Sequence, residues 1–178
     1  MNVLADDRIL LAAAQEGDVD AFEELVRRHQ AAVYRVAMRM LGSRADAQDA
    51  TQETFVRAWR ALPRFRRGSV VSTWLYTIVT RRCLDLIAGR KPTAPFDTLE
   101  LQSQTDPARA AEERERLRAV TRAIGGLPPD QRAALILREF EGLSYQEVAD
   151  VLNSSLAAVK GRIHRARLTV IEQTRGWQ

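Results

Sequence analysis

The chain has 178 residues, room for one domain or two small ones, and carries 27 basic residues against 23 acidic, a formal net charge of +4. Its lone cysteine, Cys83, excludes an intrachain disulfide and a cysteine zinc cluster, and its helical apolar setting marks it as a small core residue. No apolar run approaches the ~18 residues of a membrane span, and the opening Met1-Asn2-Val3-Leu4-Ala5-Asp6-Asp7 lacks a basic-then-apolar signal, so a soluble, cytoplasmic protein is expected.

Hydrophobic periodicity predicts helix almost throughout, and no stretch alternates with period two over a useful length, so no sheet is expected. A short helix over 6–16 ends at Gly17. Asp18 caps a long second helix with Phe22, Leu25, Val26, Val33, Val36, Ala37 and Met40 on one stripe, closed by Gly42. Ser43 with Asp46 opens a third helix that runs to Leu62 and stops before Pro63. After a basic loop over 64–69, a fourth runs to about Ala88, with Leu75, Ile78, Val79, Arg82 and Leu86 at three-four spacing and Gly89 as its stop.

From residue 90 the character changes to Pro92, Pro95 and several Thr, Ser and Gln, the composition of a linker. Asp106-Pro107 then supplies an N-cap followed by proline at the first helical position. That helix carries Leu117, Val120 and Ile124 and ends at Gly125-Gly126; Pro128-Pro129-Asp130 starts another, to about Glu141. The expectation is an all-α protein of two small helical domains, 1–91 and 106–178, joined by a flexible acidic linker over 92–105.

The last third reads as a helix-turn-helix. Ser144 with Glu147 three residues on is a capping box, and small Ala149, turn residue Asn153 and apolar Val159 stand where two helices crossing on a tight turn need them. Ser154 or Ser155 caps the second helix. On it Val159, Ile163, Ala166 and Val170 form a stripe to be buried, while Gly161, His164, Arg165 and Leu168 lie roughly opposite and Lys160, Arg162 and Arg167 flank the stripe. A cationic second helix after such a turn is built to enter the DNA major groove, its outer face meeting base edges and its flanking cations phosphates. With no second His or Cys nearby, His164 is a poor metal ligand.

Charge distribution names a second contact with nucleic acid. Residues 64–91 hold Arg64, Arg66, Arg67, Arg81, Arg82, Arg90 and Lys91 against Asp85 alone, and 156–170 hold four cations and no acid. Between them, 92–108 hold Asp97, Glu100 and Asp106 with no cation.

Three motifs in order carry a family resemblance. The run from Asp46 through Asp49, Gln52, Glu53 and Phe55 to Trp59 resembles region 2.2 of the extracytoplasmic-function (group 4) sigma factors of bacterial RNA polymerase. Phe65-Arg66 followed by Thr73-Trp74-Leu75-Tyr76 resembles their promoter −10 reading stretch. Leu127-Pro128-Pro129-Asp130-Gln131-Arg132, then Glu141-Gly142-Leu143-Ser144-Tyr145 and Val159-Lys160, resembles their region 4, which binds the −35 element.

The resemblance implies a sigma domain 2 over 1–91, a sigma domain 4 over 106–178 and a promoter-specificity subunit that is not an enzyme. It places Asp46, Asp49, Gln52 and Glu53 against the clamp of the largest polymerase subunit, and domain 4 against the flap of the second. Arg66, Arg67, Ser69, Thr73, Trp74, Thr77 and Arg81 handle the −10 element by the same reasoning, and Lys160, Arg162, His164, Arg165 and Arg167 the −35 element. An anti-sigma partner is a common companion, and nucleoid association in holoenzyme is implied; no cofactor or metal is.

Blander readings of some residues stand beside these. Asp46, Asp49 and Glu53 share one helical face, as a solvated face with acids near a helix N-terminus also would. Trp74 also fits an ordinary core aromatic, and Phe55 and Trp59 fit the core side of the third helix. The chain departs from the family at Arg67-Gly68, Arg81, Asn153, Ser155, Ala157-Ala158 and Gly161, so promoter bases do not carry over from relatives. The competing class is a stand-alone dimeric regulator, but the N-terminal half has no sustained heptad seam to build the dimer. A nucleic-acid enzyme would need a metal cluster that a single helical face supplies poorly.

Overall fold

The computed structural model describes residues 3–65, 70–90, 96 and 107–175, without the side chains of 3–5 and 107–110. Its helices are α1 (Val3–Gln15), α2 (Val19–Leu41), α3 (Arg44–Ala61), α4 (Val71–Ala88), α5 (Pro107–Gly125), α6 (Pro129–Glu139), α7 (Tyr145–Val151) and α8 (Leu156–Thr174), with a 3-10 turn at Leu62–Arg64. The fold is all-α, with no strand among the described residues. The linker expected over 92–105 lies outside them except for Phe96.

Side-chain caps set several of these boundaries. Asp18 accepts from the Ala21 N–H to start α2, and Gly42, at φ 61, ends it with its own N–H on the Met38 carbonyl. Ser43 accepts from the Asp46 N–H to start α3. α1 begins three residues before its predicted start, and α3 stops at Ala61 because Pro63 fits the following 3-10 turn. α6 ends at Glu139, short of the predicted Glu141, as the chain turns out through Gly142 at φ 72.

In the N-terminal half α2 is the central element, packed on α1, α3 and α4. Its Val33, Val36, Ala37 and Met40 are fully buried against Ala47, Ala50 and Ala58 of α3 and Val79 and Cys83 of α4. The alanines bring α3 close to α2. Burial pushes the Cys83 thiol up to about 12. Contrary to the sequence expectation, Trp59 is 40% exposed and covers Phe22 at 4.9 Å between ring centroids, while Phe55 is buried as expected. Asp7, almost wholly buried, ties α1 to α2 through His29 Nε2 at 2.7 Å and Arg28 at 3.3 Å.

The C-terminal half is built on α6 and α8. Ala133, Ile136 and Leu137 meet Val148 and Ala149 of α7, Val159, Ile163 and Ala166 of α8, and Ala123 and Ile124 of α5. The two halves also touch: α2 packs on α5 and α6, and α4 on α6 and α7. Arg132 of α6 donates to the Met40 carbonyl across the boundary at 2.6 Å, and to the Leu127 carbonyl at 3.1 Å and that of Gly125 in its own half. The Phe96 ring lies between Gly42 and Gly125, with the Arg132 guanidinium 4.9 Å from its centroid. A Cβ on Gly125 would stand 2.8 Å from that ring.

A second link forms around Glu141, whose side chain is 4% exposed. It accepts from the Tyr76 hydroxyl at 2.9 Å and pairs with Arg39 at 3.4 Å. Burial first, and the Glu141 carboxylate second, push the Tyr76 phenol up.

Two outcomes check this core. Ile136→Ala should cost about 2–5 kcal/mol in urea unfolding, because the side chain is fully enclosed. The Cys83 thiol should react with a disulfide reagent at neutral pH only at the rate at which the native chain opens.

Candidate nucleic-acid interface

The helix-turn-helix forms as its residues dictate. Ser144 and Glu147 close the capping box, the serine hydroxyl accepting from the Glu147 N–H at 3.2 Å and the carboxylate from the Ser144 N–H at 2.7 Å. Those bonds hold the Glu147 carboxyl below its ordinary value, the backbone bond counting most. Asn153 takes the left-handed turn at φ 46, a conformation Asn accepts. Of the two candidate caps for α8 it is Ser155 that accepts from the Ala158 N–H, at 3.1 Å, while Ser154 accepts from Arg162 at 2.9 Å.

On α8, Val159, Ile163 and Ala166 are buried and Val170 partly so, which turns the opposite face outward. His164 and Arg165 are exposed there, and Lys160 and Arg167 are exposed on the flanks of the stripe. They are not equivalent. Arg162 pairs with Asp130 at 2.9 Å, and Arg167 is held by Glu139 at 3.0 Å through its Nε. Arg165 folds back on its helix: a Cβ on Gly161 would stand 3.3 Å from its guanidinium. The missing side chain at Gly161 makes that room.

The other nucleic-acid candidates lie on α4 and the turn before it. Gln15, at the end of α1, donates its amide to the carbonyls of Leu62 at 3.1 Å and Phe65 at 3.0 Å. That fixes Phe65, whose ring meets Trp74 at 4.4 Å. Thr73, Trp74 and Thr77 line an open groove of about 550 Å³ together with Arg64 and Phe65. Trp74 is half-buried, neither a core aromatic nor a free one. Arg81 is exposed one turn further along α4 and outside the groove lining. Arg66, Arg67 and Ser69 lie outside the described residues.

The acidic face of α3 is partly engaged already. Asp46 is bonded by Arg90 and Glu53 by Arg57 at 2.6 Å, and Arg82 forms an ion pair with Glu53 at 2.5 Å. Asp49 and Gln52 are exposed and line a shallow groove with Gln30 and Tyr34 of α2. The four residues therefore share a face, but Asp49 and Gln52 present it most freely. Sequence reading missed Gln15, Phe96 and the roles of Arg132 and Glu141. The available signal was Phe96, a lone aromatic in a polar Pro/Thr stretch.

Comparison with known proteins gives the chain a family. Residues 25–93 match sigma-70 region 2 and residues 117–170 match sigma-70 region 4. The chain is similar to the RNA polymerase sigma-H factor of Pseudomonas aeruginosa, 38% identical over 90% of each chain. It is also similar to the ECF RNA polymerase sigma-E factor of Escherichia coli K12, 35% identical over 90% of each. Among solved structures it resembles CnrH in complex with the cytosolic domain of CnrY, with a TM-score of 0.74, 32% identity and coverage of 96% of this chain and 98% of that one. RpoE of Bartonella quintana in complex with the anti-sigma factor NepR shares the fold, with a TM-score of 0.73, 23% identity and coverage of 88% and 98%.

A region 2 followed by a region 4 on an all-helical frame defines a promoter-directing subunit of RNA polymerase rather than an enzyme. The chain belongs to the sigma-70 family, as an extracytoplasmic-function sigma factor. The region 2 match, over 25–93, takes in the basic patch at 64–91 that a stand-alone regulator would leave without a role.

The capping box is open to test. Ser144→Ala should cost ~1 kcal/mol in urea unfolding at neutral pH. Because the Glu147 carboxyl is lowered in the fold, its contribution is present above the ordinary carboxylate range. It is lost as pH falls through the lowered value, so the difference between wild type and variant should shrink in acid.

Proposed function

We propose that this sigma factor reads the −35 element with the outer face of α8 and the −10 element with the groove on α4. The observation that carries the reading is the α8 face itself: exposed His164 and Arg165 on a helix clamped by a buried stripe and set at a fixed angle by the Asn153 turn. Arg165 and His164 meet base edges, and Lys160, Arg162 and Arg167 meet phosphates. To do so Arg162 and Arg167 exchange Asp130 and Glu139 for the DNA backbone.

Opening a promoter requires a base to be unstacked and its strand held by aromatic and cationic groups. Thr73, Trp74 and Thr77 in the groove, with Arg81 beyond it and Arg66, Arg67 and Ser69 from the residues preceding α4, take this part. The stacked Phe65 and Trp74 supply the aromatic surface. Asp46, Asp49, Gln52 and Glu53 dock on the clamp of the largest subunit of core polymerase, and the C-terminal half on the flap of the second. Residues 1–91 thus act as domain 2, 92–105 as the linker and 106–178 as domain 4. Two of the structural neighbours were solved with partner proteins, one of them named an anti-sigma factor, which supports an anti-sigma partner for this chain. No helix among the described residues is long and apolar enough to cross a membrane, in keeping with a site of action in the cytoplasm, on the nucleoid when in holoenzyme.

The decisive experiment is multi-round transcription on fragmented genomic DNA by bacterial core polymerase with and without the chain. Discrete new starts sharing two upstream elements are expected, and tight DNA binding without such starts would overturn the reading. Arg165→Ala should cost about 1–3 kcal/mol at one −35 base and leave other positions unchanged in a binding-site scan. Asp49→Arg should weaken holoenzyme assembly on native gels while −35 duplex binding by the chain stays intact.

A further inference from the structure

The α4 groove is braced from outside the segment that matches region 2. That match begins at residue 25, whereas Gln15 belongs to α1. Its side-chain nitrogen donates to two carbonyls, that of Leu62 at 3.1 Å and that of Phe65 at 3.0 Å, 47 and 50 residues further along the chain. A primary amide carries two N–H groups on one nitrogen, so one side chain meets both acceptors.

The two carbonyls differ in what they need. That of Leu62 already accepts the Phe65 N–H at 3.1 Å, closing the 3-10 turn, and Gln15 adds a second bond to it. That of Phe65 belongs to the residue where the chain leaves the turn for extended backbone, at φ −67 and ψ 126. No other donor to it stands among the described residues. Holding that carbonyl fixes the rotation of Phe65 about its Cα–C bond, and so the seat of its ring 4.4 Å from that of Trp74. The bracing helix is itself tied down. Leu11 and Ala14 are buried with the α2 core, and Asp7 binds α1 to His29 and Arg28.

We propose that Gln15 is a positioning residue for the −10 strand: from α1 it holds the Phe65 carbonyl and so keeps the Phe65 ring on Trp74 as a preformed stacking surface. The inference rests on the assignment of the α4 groove to the unstacked strand. It adds to that groove an element, α1, which acts without meeting the strand. A surface already in place spares the strand the cost of ordering it. The apparent affinity is the intrinsic one scaled by the fraction of molecules in the competent arrangement.

The test uses holoenzyme assembled from the full chain and bacterial core polymerase, on the promoter with the strongest start in the transcription experiment above. Gln15→Met removes both donors, keeps the length of the side chain and adds no charge. Transcription from the duplex promoter should fall about tenfold, the loss expected if about one chain in ten then keeps Phe65 seated. The same promoter premelted across its −10 element should stay nearly as active as with wild type, since its strand needs no capture to stay open. Circular dichroism and native gels verify that the variant folds and binds core. Equal losses on both templates, or no loss on either, overturn the proposal. In a Phe65→Ala chain, Gln15→Met should cost nothing further; a second loss of the same size means that Gln15 acts by another route and overturns it too. Trp74→Ala separates the brace from the groove. A duplex loss with Trp74→Ala and none with Gln15→Met overturns the brace alone, whereas duplex transcription indifferent to Trp74→Ala overturns the groove assignment as well.

Discussion

Arg132 carries a full positive charge to a position 7% exposed, with no carboxylate partner among the described residues. Burial lowers its pKa, and nearby Arg90 lowers it further, yet a guanidinium so far above neutrality stays charged. Stripping water from such a group costs several kcal/mol unless its donors are met. Its two terminal amino groups are met by carbonyls from the last turns of α2 and α5, where helices leave acceptors unused and the macrodipole is negative, while its Nε is left without a partner among the described residues. One side chain thus satisfies two helix ends, one in each half. Phe96 is seated against the same guanidinium, and α6 packs on α2 at that junction.

The same economy shows in the surfaces assigned to nucleic acid. Several of their charged groups are already paired: Arg162 rests on Asp130, Arg167 on Glu139, and the acidic α3 face is partly occupied by Arg57, Arg82 and Arg90. Exposed pairs of this kind contribute little to stability and exchange partners at small cost. The framework beneath them, by contrast, is fixed by buried side chains such as Ile163, Val159 and Ala149. A rigid scaffold with exchangeable charges suits a subunit that must trade one set of contacts for another.

Local signals made much of this readable in the sequence. The capping box, the Asn153 turn and the buried stripe of α8 depend on residues within one or two turns of each other, and each formed as the spacing required. The caps of α2 and α3 were legible for the same reason. What stayed hidden joins distant parts of the chain: Gln15 to Phe65, Tyr76 to Glu141, Arg132 to Met40. No periodicity encodes such pairs. Trp59 misled because its spacing from Phe55 suits a core face, whereas the alanines of α3 make the close contact and leave the indole as a lid on Phe22. Phe96 was lost in a stretch whose composition argues only for a tether.

The carboxylates already seated on α8 bear on how binding would respond to ionic strength. DNA sheds condensed counterions when protein cations take their place, and the slope of log affinity against log salt counts them. Were Arg162 and Arg167 to turn to phosphates, Asp130 and Glu139 would be left beside the duplex, retaining some of the sodium or potassium that would otherwise be freed. Complexes made through α8 would then weaken less steeply with salt than its number of cations implies.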